Sequence, residues 1–179
     1  MYTAQLSIES PLGRILLART TKGLAGVWFE QGQKDTPGAL QAPFKPDDDL
    51  LLRAGAQLSR YWAGGSTDFD LPLDLIGTPF QVAVWQLLLT IPHGHTRSYG
   101  DLAASLGKPQ ASRAVGAAVG RNPISIIVPC HRIVGRDDSL TGFAGGMERK
   151  VALLAQEGHV VQGSRLRRPT GLTTQATLL

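Results

Sequence analysis

Along residues 2–30, apolar and polar side chains alternate in three short runs, YTAQLSI, RILLART and LAGVWFE, separated by PLG and TKG. A period of two puts successive side chains on opposite faces of a strand, so the pattern predicts a β-meander. Residues 31–46, QGQKDTPGALQAPFKP, have no periodicity and are broken by Gly and Pro, which predicts a loop. A helical period then begins. Asp47 to Asp49 place acid at the positive end of its dipole, Leu51, Ala54, Leu58 and Trp62 form an apolar stripe, and Gly64-Gly65 stop it. DFDLPLDL alternates again and is expected to return to the sheet.

At Gly77 the texture changes. Thr78 as N-cap and Pro79 at the first helical position open TPFQVAVWQLL, with Phe80, Val84, Leu87 and Leu88 on one face. In SYGDLAASLG, Ser98 and Asp101 have the spacing of a capping box, and Gly107 is the stop. QASRAVGAAVG follows as a third helix, and two short helices joined by a Gly-containing turn make a helix-turn-helix pattern. Ala111, Ser112, Ala114, Gly116, Ala117 and Ala118 leave this helix nearly bare, with Arg113 its only long side chain before Arg121. Small residues at helical spacing fit close packing against a neighbour. They also fit a slim helix lying in a DNA groove, and the helix-turn-helix setting favours that use. ISIIVP predicts a short buried strand running into Cys130, GRDDSLTG a hairpin or wing, and AGGMERKVALLAQEG a closing helix ended by Gly158. GSRLRRPTGLTTQATLL is polar, basic and aperiodic. The chain therefore divides into an N-terminal domain over 1–76, a second domain over 77–162 and a flexible basic tail over 163–179.

Composition narrows the class. A hydrophobic content of 42% with 18% charged residues is that of a soluble globular protein. The sequence lacks an apolar run of about 18 residues, so no membrane span is expected. The start is not that of a signal peptide, and one cysteine excludes an internal disulfide, which together point to the reducing cytoplasm. Charge is distributed unevenly. Residues 1–77 hold 7 Lys/Arg against 9 Asp/Glu, whereas residues 78–179 hold 11 against 5. A basic rear half fits a polyanionic partner, and equally a solvated surface.

The only cysteine sits in IIVPCHRIVG, residues 126–135. Cys130 admits three uses: apolar filler, metal ligand or nucleophile. Ligation is a poor fit, because His93, His95, His131 and His159 have no second thiolate to join. PCHRIVG followed by LTGFAGGMERKVALLAQEG resembles the active-site region of the O6-alkylguanine-DNA alkyltransferases. The likeness runs back through SRAVGAAVGRNP, TRSYGDLAASLG and GTPFQVAVWQLL, covering about residues 77–158. Residues 1–76 resemble that family's variable N-terminal domain only loosely.

Pattern and resemblance together predict an α+β protein: a small N-terminal β-sheet plus helix domain, then a C-terminal winged helix-turn-helix domain. The resemblance implies direct-reversal repair of O6-alkylguanine, with O4-alkylthymine a second candidate lesion. Cys130 would be the nucleophile and the permanent, single-use acceptor of the alkyl group. A thiol at its free pKa is mostly protonated at neutral pH and needs help. His131 would take its proton through a bridging water, and Glu157 would orient the imidazole. Neighbours in an extended segment point to opposite sides, so Cys130 and His131 are not expected to bond directly. Asn122, the turn residue of RNP, would brace the third helix against the cysteine strand. Tyr99, flanked by Ser98 and Gly100, would protonate the departing guanine and crowd its phosphate. Arg113, with Ala111, Ser112 and Ala114 beside it, would meet the DNA and fill the stack left by a flipped nucleotide. Val134, Thr141, Gly142, Phe143 and Ala144 would line the base pocket. Phe143 departs from the tyrosine usual there, which keeps a stacking surface but loses a hydroxyl. The resemblance implies no cofactor and no metal. The expected partner is double-stranded DNA containing alkylated guanine, met by a monomer without a membrane; cooperative binding along DNA stays open. A non-catalytic alkyl-DNA sensor would lack Cys130, a winged-helix regulator has no use for PCHRIVG, and a cysteine hydrolase would turn over repeatedly.

Overall fold

The computed structural model describes residues 1–65 and 68–167. Strands β1 (Ala4–Ile8), β2 (Ile15–Arg19) and β3 (Leu24–Phe29) form the expected antiparallel meander in the order β1-β2-β3, with Leu6 opposite Leu17 and Ile15 opposite Phe29. Helix α1 (Asp49–Trp62) is capped by Asp48, whose side chain accepts from the Leu51 N–H. Its buried residues are Leu50, Leu51, Ala54, Gln57, Leu58 and Tyr61. Tyr61 thus takes the place predicted for Trp62, which is only half-buried. DFDLPLDL does not become a full strand. It runs beside β3 with a single parallel bridge, Leu24 to Leu73, because Pro72 accepts from the Leu24 N–H but has no N–H of its own to extend a ladder.

The second half is helical around one shared core. Helices α2 (Pro79–Leu89) and α3 (Tyr99–Ser105) begin with complete capping boxes, Thr78 with Gln81 and Ser98 with Asp101. The strand pair β4 (Arg97–Ser98) and β5 (Ile133–Val134) is parallel. Helix α4 (Ser112–Val119) packs on α2 and α3 through Val115, Ala118 and Val119, and Trp85 Nε1–H donates to the Ala118 carbonyl at 2.8 Å. Arg113, Ala114 and Ala117 on its other side are exposed, so the bare helix serves close packing on one face and leaves a slim face open. Helix α5 (Met147–Gln156) closes the fold.

Three expectations are corrected. ISIIVP is a run of turns, not a strand, with Ile126 in the left-handed region at φ 74°. The Asn122 amide satisfies the backbone groups that a sheet would otherwise pair: its Oδ1 accepts from the Ile124 N–H and its Nδ2 donates to Val128 O. Cys130 to Arg132 are a 3₁₀ turn. GRDDSLTG forms no hairpin of its own. Gly135 closes a tight turn onto Ser139, and Leu140 N–H donates to Ser164 O in a second hairpin, β6 (Val161–Gln162) with β7 (Arg165–Leu166). That hairpin also corrects the start of the tail, since Arg165 pairs with Asp137 at 2.7 Å. The rest of the expected tail lies outside the described residues. Among the described residues, no helix is long and apolar enough to cross a membrane.

Candidate active site

The 3₁₀ turn is tied to the N-terminal sheet just before it begins. Val27 in β3 donates to Pro123 O and accepts from the Ser125 N–H, so the segment leading to Cys130 is an added edge of that sheet. Cys130 is 5% exposed, and its Sγ accepts from Asn122 Nδ2 at 3.1 Å. One asparagine therefore shapes the turn and touches the sulfur. Burial pushes the thiol up to about 11, against the opposing pull of the Asn122 hydrogen bond and the Lys150 charge. A thiol in this setting is protonated at neutral pH.

Beside it, His131 is fully buried and its Nε2 meets Glu157 Oε1 at 2.7 Å. Burial alone would raise Glu157, but hydrogen bonds from His131 and Arg132 outweigh it and hold the carboxyl well below the usual carboxylate range. Because Glu157 is ionised and can only accept, Nε2 carries the proton and the lone pair of the neutral imidazole falls on Nδ1. Nδ1 is buried and has no protein hydrogen-bond partner among the described residues. Burial also lowers the His131 pKa, against the pull of Glu157, so the ring is a neutral base at pH 7. Cys130 and His131 are successive residues of the 3₁₀ turn rather than of the expected strand.

Glu157 is the C-cap of α5, an electrostatically poor place for an acid. It is held there by more than His131. Arg132 Nε donates to Oε2 at 2.8 Å and its terminal nitrogen to Oε1 at 2.9 Å, while Tyr61 Oη–H in α1 donates to Oε1 at 2.9 Å. Lys150, also buried, donates through Nζ to the carbonyls of Ile133 and Thr141. Burial pushes its pKa down to about 8.

A cavity of about 520 Å³ opens nearby. Tyr99, Ser112, Arg113, Thr141, Gly142, Phe143 and Ala144 line it, together with Gly116 on α4 and Lys34 and Asp35 from the N-terminal loop. Thr141 Oγ1–H donates to Tyr99 Oη at 3.0 Å, leaving the tyrosine proton free for another acceptor. Cys130 is not itself a lining residue, but both Tyr99 and Asp35 interact electrostatically with it. Phe143 lies so close to Gly145 that a Cβ there would come within 2.6 Å of its ring. Ser98, Gly100, Ala111 and Ala114 lie outside the lining, with Ser98 engaged as the cap of α3. Val134 also lies outside this lining and is buried in a small core with Leu140 and Leu154.

Residues 79–159 match the model of the 6-O-methylguanine DNA methyltransferase DNA-binding domain, and residues 4–75 that of its ribonuclease-like domain. The chain belongs to the 6-O-methylguanine DNA methyltransferase family. A methylated-DNA–protein-cysteine methyltransferase of Mycolicibacterium paratuberculosis is 57% identical over 151 residues, 84% of this chain and 90% of the relative. Its Mycobacterium leprae counterpart is 46% identical over 155 residues, 87% and 92% of the two chains. Mycobacterium tuberculosis OGT, solved in complex with DNA, superposes with a TM-score of 0.80 at 44% identity, covering 87% of this chain and 92% of that one.

Within this family frame, four contributors were not legible in the sequence: Tyr61, Arg132, Lys150 and the Lys34–Asp35 loop. Tyr61 and the Lys34–Asp35 loop lie in the half that carries no visible motif, and Lys150, although inside LTGFAGGMERKVALLAQEG, gives no local sign that its ammonium is buried. Arg132 had a local signal, since it directly follows His131 in PCHRIVG, but its partner Glu157 is 25 residues away.

Proposed function

We propose that this methyltransferase repairs duplex DNA by moving the alkyl group of O6-alkylguanine to Cys130, once per molecule. The damaged nucleotide leaves the stack and enters the cavity beside α4, at a cost of a few kcal/mol that Arg113 lowers by filling the gap. The observation carrying this reading is a buried thiol braced by Asn122 beside a neutral imidazole whose tautomer Glu157 imposes. His131 Nδ1 accepts the thiol proton through a water, and the Sγ thiolate displaces the alkyl carbon. The C–S bond forms as the C–O6 bond breaks, and the electron pair leaves with guanine, which takes up the Tyr99 proton. The thioether has no exchange route back to a thiol, so the protein is consumed.

Intact mass after incubation with a duplex containing O6-methylguanine tests this. The expected outcome is a gain of one methyl group on Cys130 and a plateau at about one repaired guanine per protein. Cys130→Ser should bind the duplex and transfer nothing, because an alcohol is far less ionised than a thiol at neutral pH. Methylation of another residue in that variant, or product exceeding protein, would overturn the reading.

A further inference from the structure

The N-terminal domain reaches Glu157 through α1. Tyr61 is 1% exposed in α1, and its hydroxyl donates at 2.9 Å to Glu157 Oε1, the same oxygen that meets His131 Nε2. The contact is fixed from several sides. Gln156 Nε2 donates to the Tyr61 and Trp62 carbonyls, and the Tyr61 ring packs edge-on against Trp62 and His93 and at a tilt against Phe69. We infer that Tyr61 is a positioning residue of the relay: a donor from the N-terminal domain that shares the charge of Glu157 and so limits how strongly Glu157 holds a proton on His131.

The physics has a definite sign. A carboxylate favours the imidazolium form of a histidine bonded to it, in proportion to its uncompensated charge. The groups around His131 and Glu157 are Arg132 in the same turn, Lys150 from α5, Cys130 preceding His131 in the chain, Tyr61 from α1, His159 beyond α5, and more remotely His93 and His95. Arg132 and Lys150 already oppose protonation of His131. Without the phenol, Oε1 keeps only Arg132 and His131 as its donors among these groups, its charge becomes less shared, and the imidazole becomes easier to protonate. The base would then be occupied by a proton at a pH where the native ring is free.

This inference rests on the proposed relay, and the test separates the two. Single-turnover methyl transfer from an O6-methylguanine duplex is measured against pH for the full-length protein and for Tyr61→Phe, which keeps the ring packing. The acid limb of the Tyr61→Phe profile should move to higher pH by about half a unit to one unit, making transfer about 3- to 10-fold slower on that limb. Rates should converge on the alkaline side. A second variant, with 3-fluorotyrosine placed at 61, keeps the hydroxyl and makes it a stronger donor, so its limb should move the other way even if Tyr61→Phe fails to fold. Profiles that superimpose, differ by a constant factor at every pH, or shift in the reverse sense would overturn the inference while leaving transfer to Cys130 standing. If the wild type leaves Cys130 unmethylated, the functional reading fails and takes this inference with it.

Discussion

Lys150 shows how one residue can be structural and electrostatic at once. Its ammonium is enclosed between the carbonyls of Ile133 and Thr141, which joins strand β5 to the pocket wall, and its charge favours a thiolate at Cys130. Burial lowers its pKa from 10.5 to about 8, so between those values the unfolded chain binds a proton that the folded chain lacks. Stability from this group therefore rises with pH across that window. Cys130 acts in reverse, because its folded pKa is raised from 9.0 to about 11 and its contribution is lost as pH climbs between them. Denaturant titrations should show stability increasing above pH 8 and flattening above 9 in the wild type. The increase should continue toward 10 in Cys130→Ser, where the raised Tyr61 hydroxyl begins to oppose it, and disappear in Lys150→Met. A wild-type curve that falls steadily from pH 8 would contradict the assignment.

At the scale of elements, α4 does two jobs with two faces. Its buried side packs on α2 and α3 through Val115, Ala118 and Val119, and Gly116 faces the Tyr99 ring, where even a Cβ would make only an ordinary contact at 3.6 Å. Its open side carries Arg113 at the rim of the cavity. If Arg113 fills the stack behind a flipped nucleotide, Arg113→Ala should slow repair of duplex DNA by about 5- to 150-fold, the rate equivalent of roughly 1–3 kcal/mol. Reaction with a free O6-alkylguanine base, which needs no flipping, should stay near the wild-type rate. An equal fall in both rates would make Arg113 a pocket residue. Uniformly weaker binding to damaged and undamaged duplexes would make it a phosphate anchor.

At the scale of the whole molecule, the larger of two core clusters among the described residues runs from β1 to α5. The cysteine sits inside it, with its sulfur 3.1 Å from the Asn122 amide. A methyl group added there has to displace that amide or the wall around it, and overpacking of this kind costs roughly 1–3 kcal/mol. For a chain of this size each kcal/mol shifts Tm by about 2–4 °C. The methylated protein is expected to melt several degrees below the fresh protein in paired calorimetric scans. An unchanged or higher Tm would mean that the pocket holds the methyl without strain.

Local pattern was enough for whatever depends on near neighbours. The meander follows from alternation, both capping boxes from spacing, and the stop at Gly158, which adopts φ 87°, from the freedom of glycine. Cys130, His131 and Asn122 were named from two neighbouring stretches, RNP and PCHRIVG, through the family resemblance they carry. Tertiary structure decided the rest. The strand expected over ISIIVP gave way to turns because Asn122 pairs its backbone, and the hairpin expected after β5 gave way because residues near 164 pair with it instead. Tyr61 could not be read as part of the site at all. It is separated from Glu157 by 96 residues, and a helix-face tyrosine carries no sign of whether its hydroxyl meets water or a buried carboxylate. Periodicity decides which face of α1 turns inward; only the packing of the two halves decides what waits there.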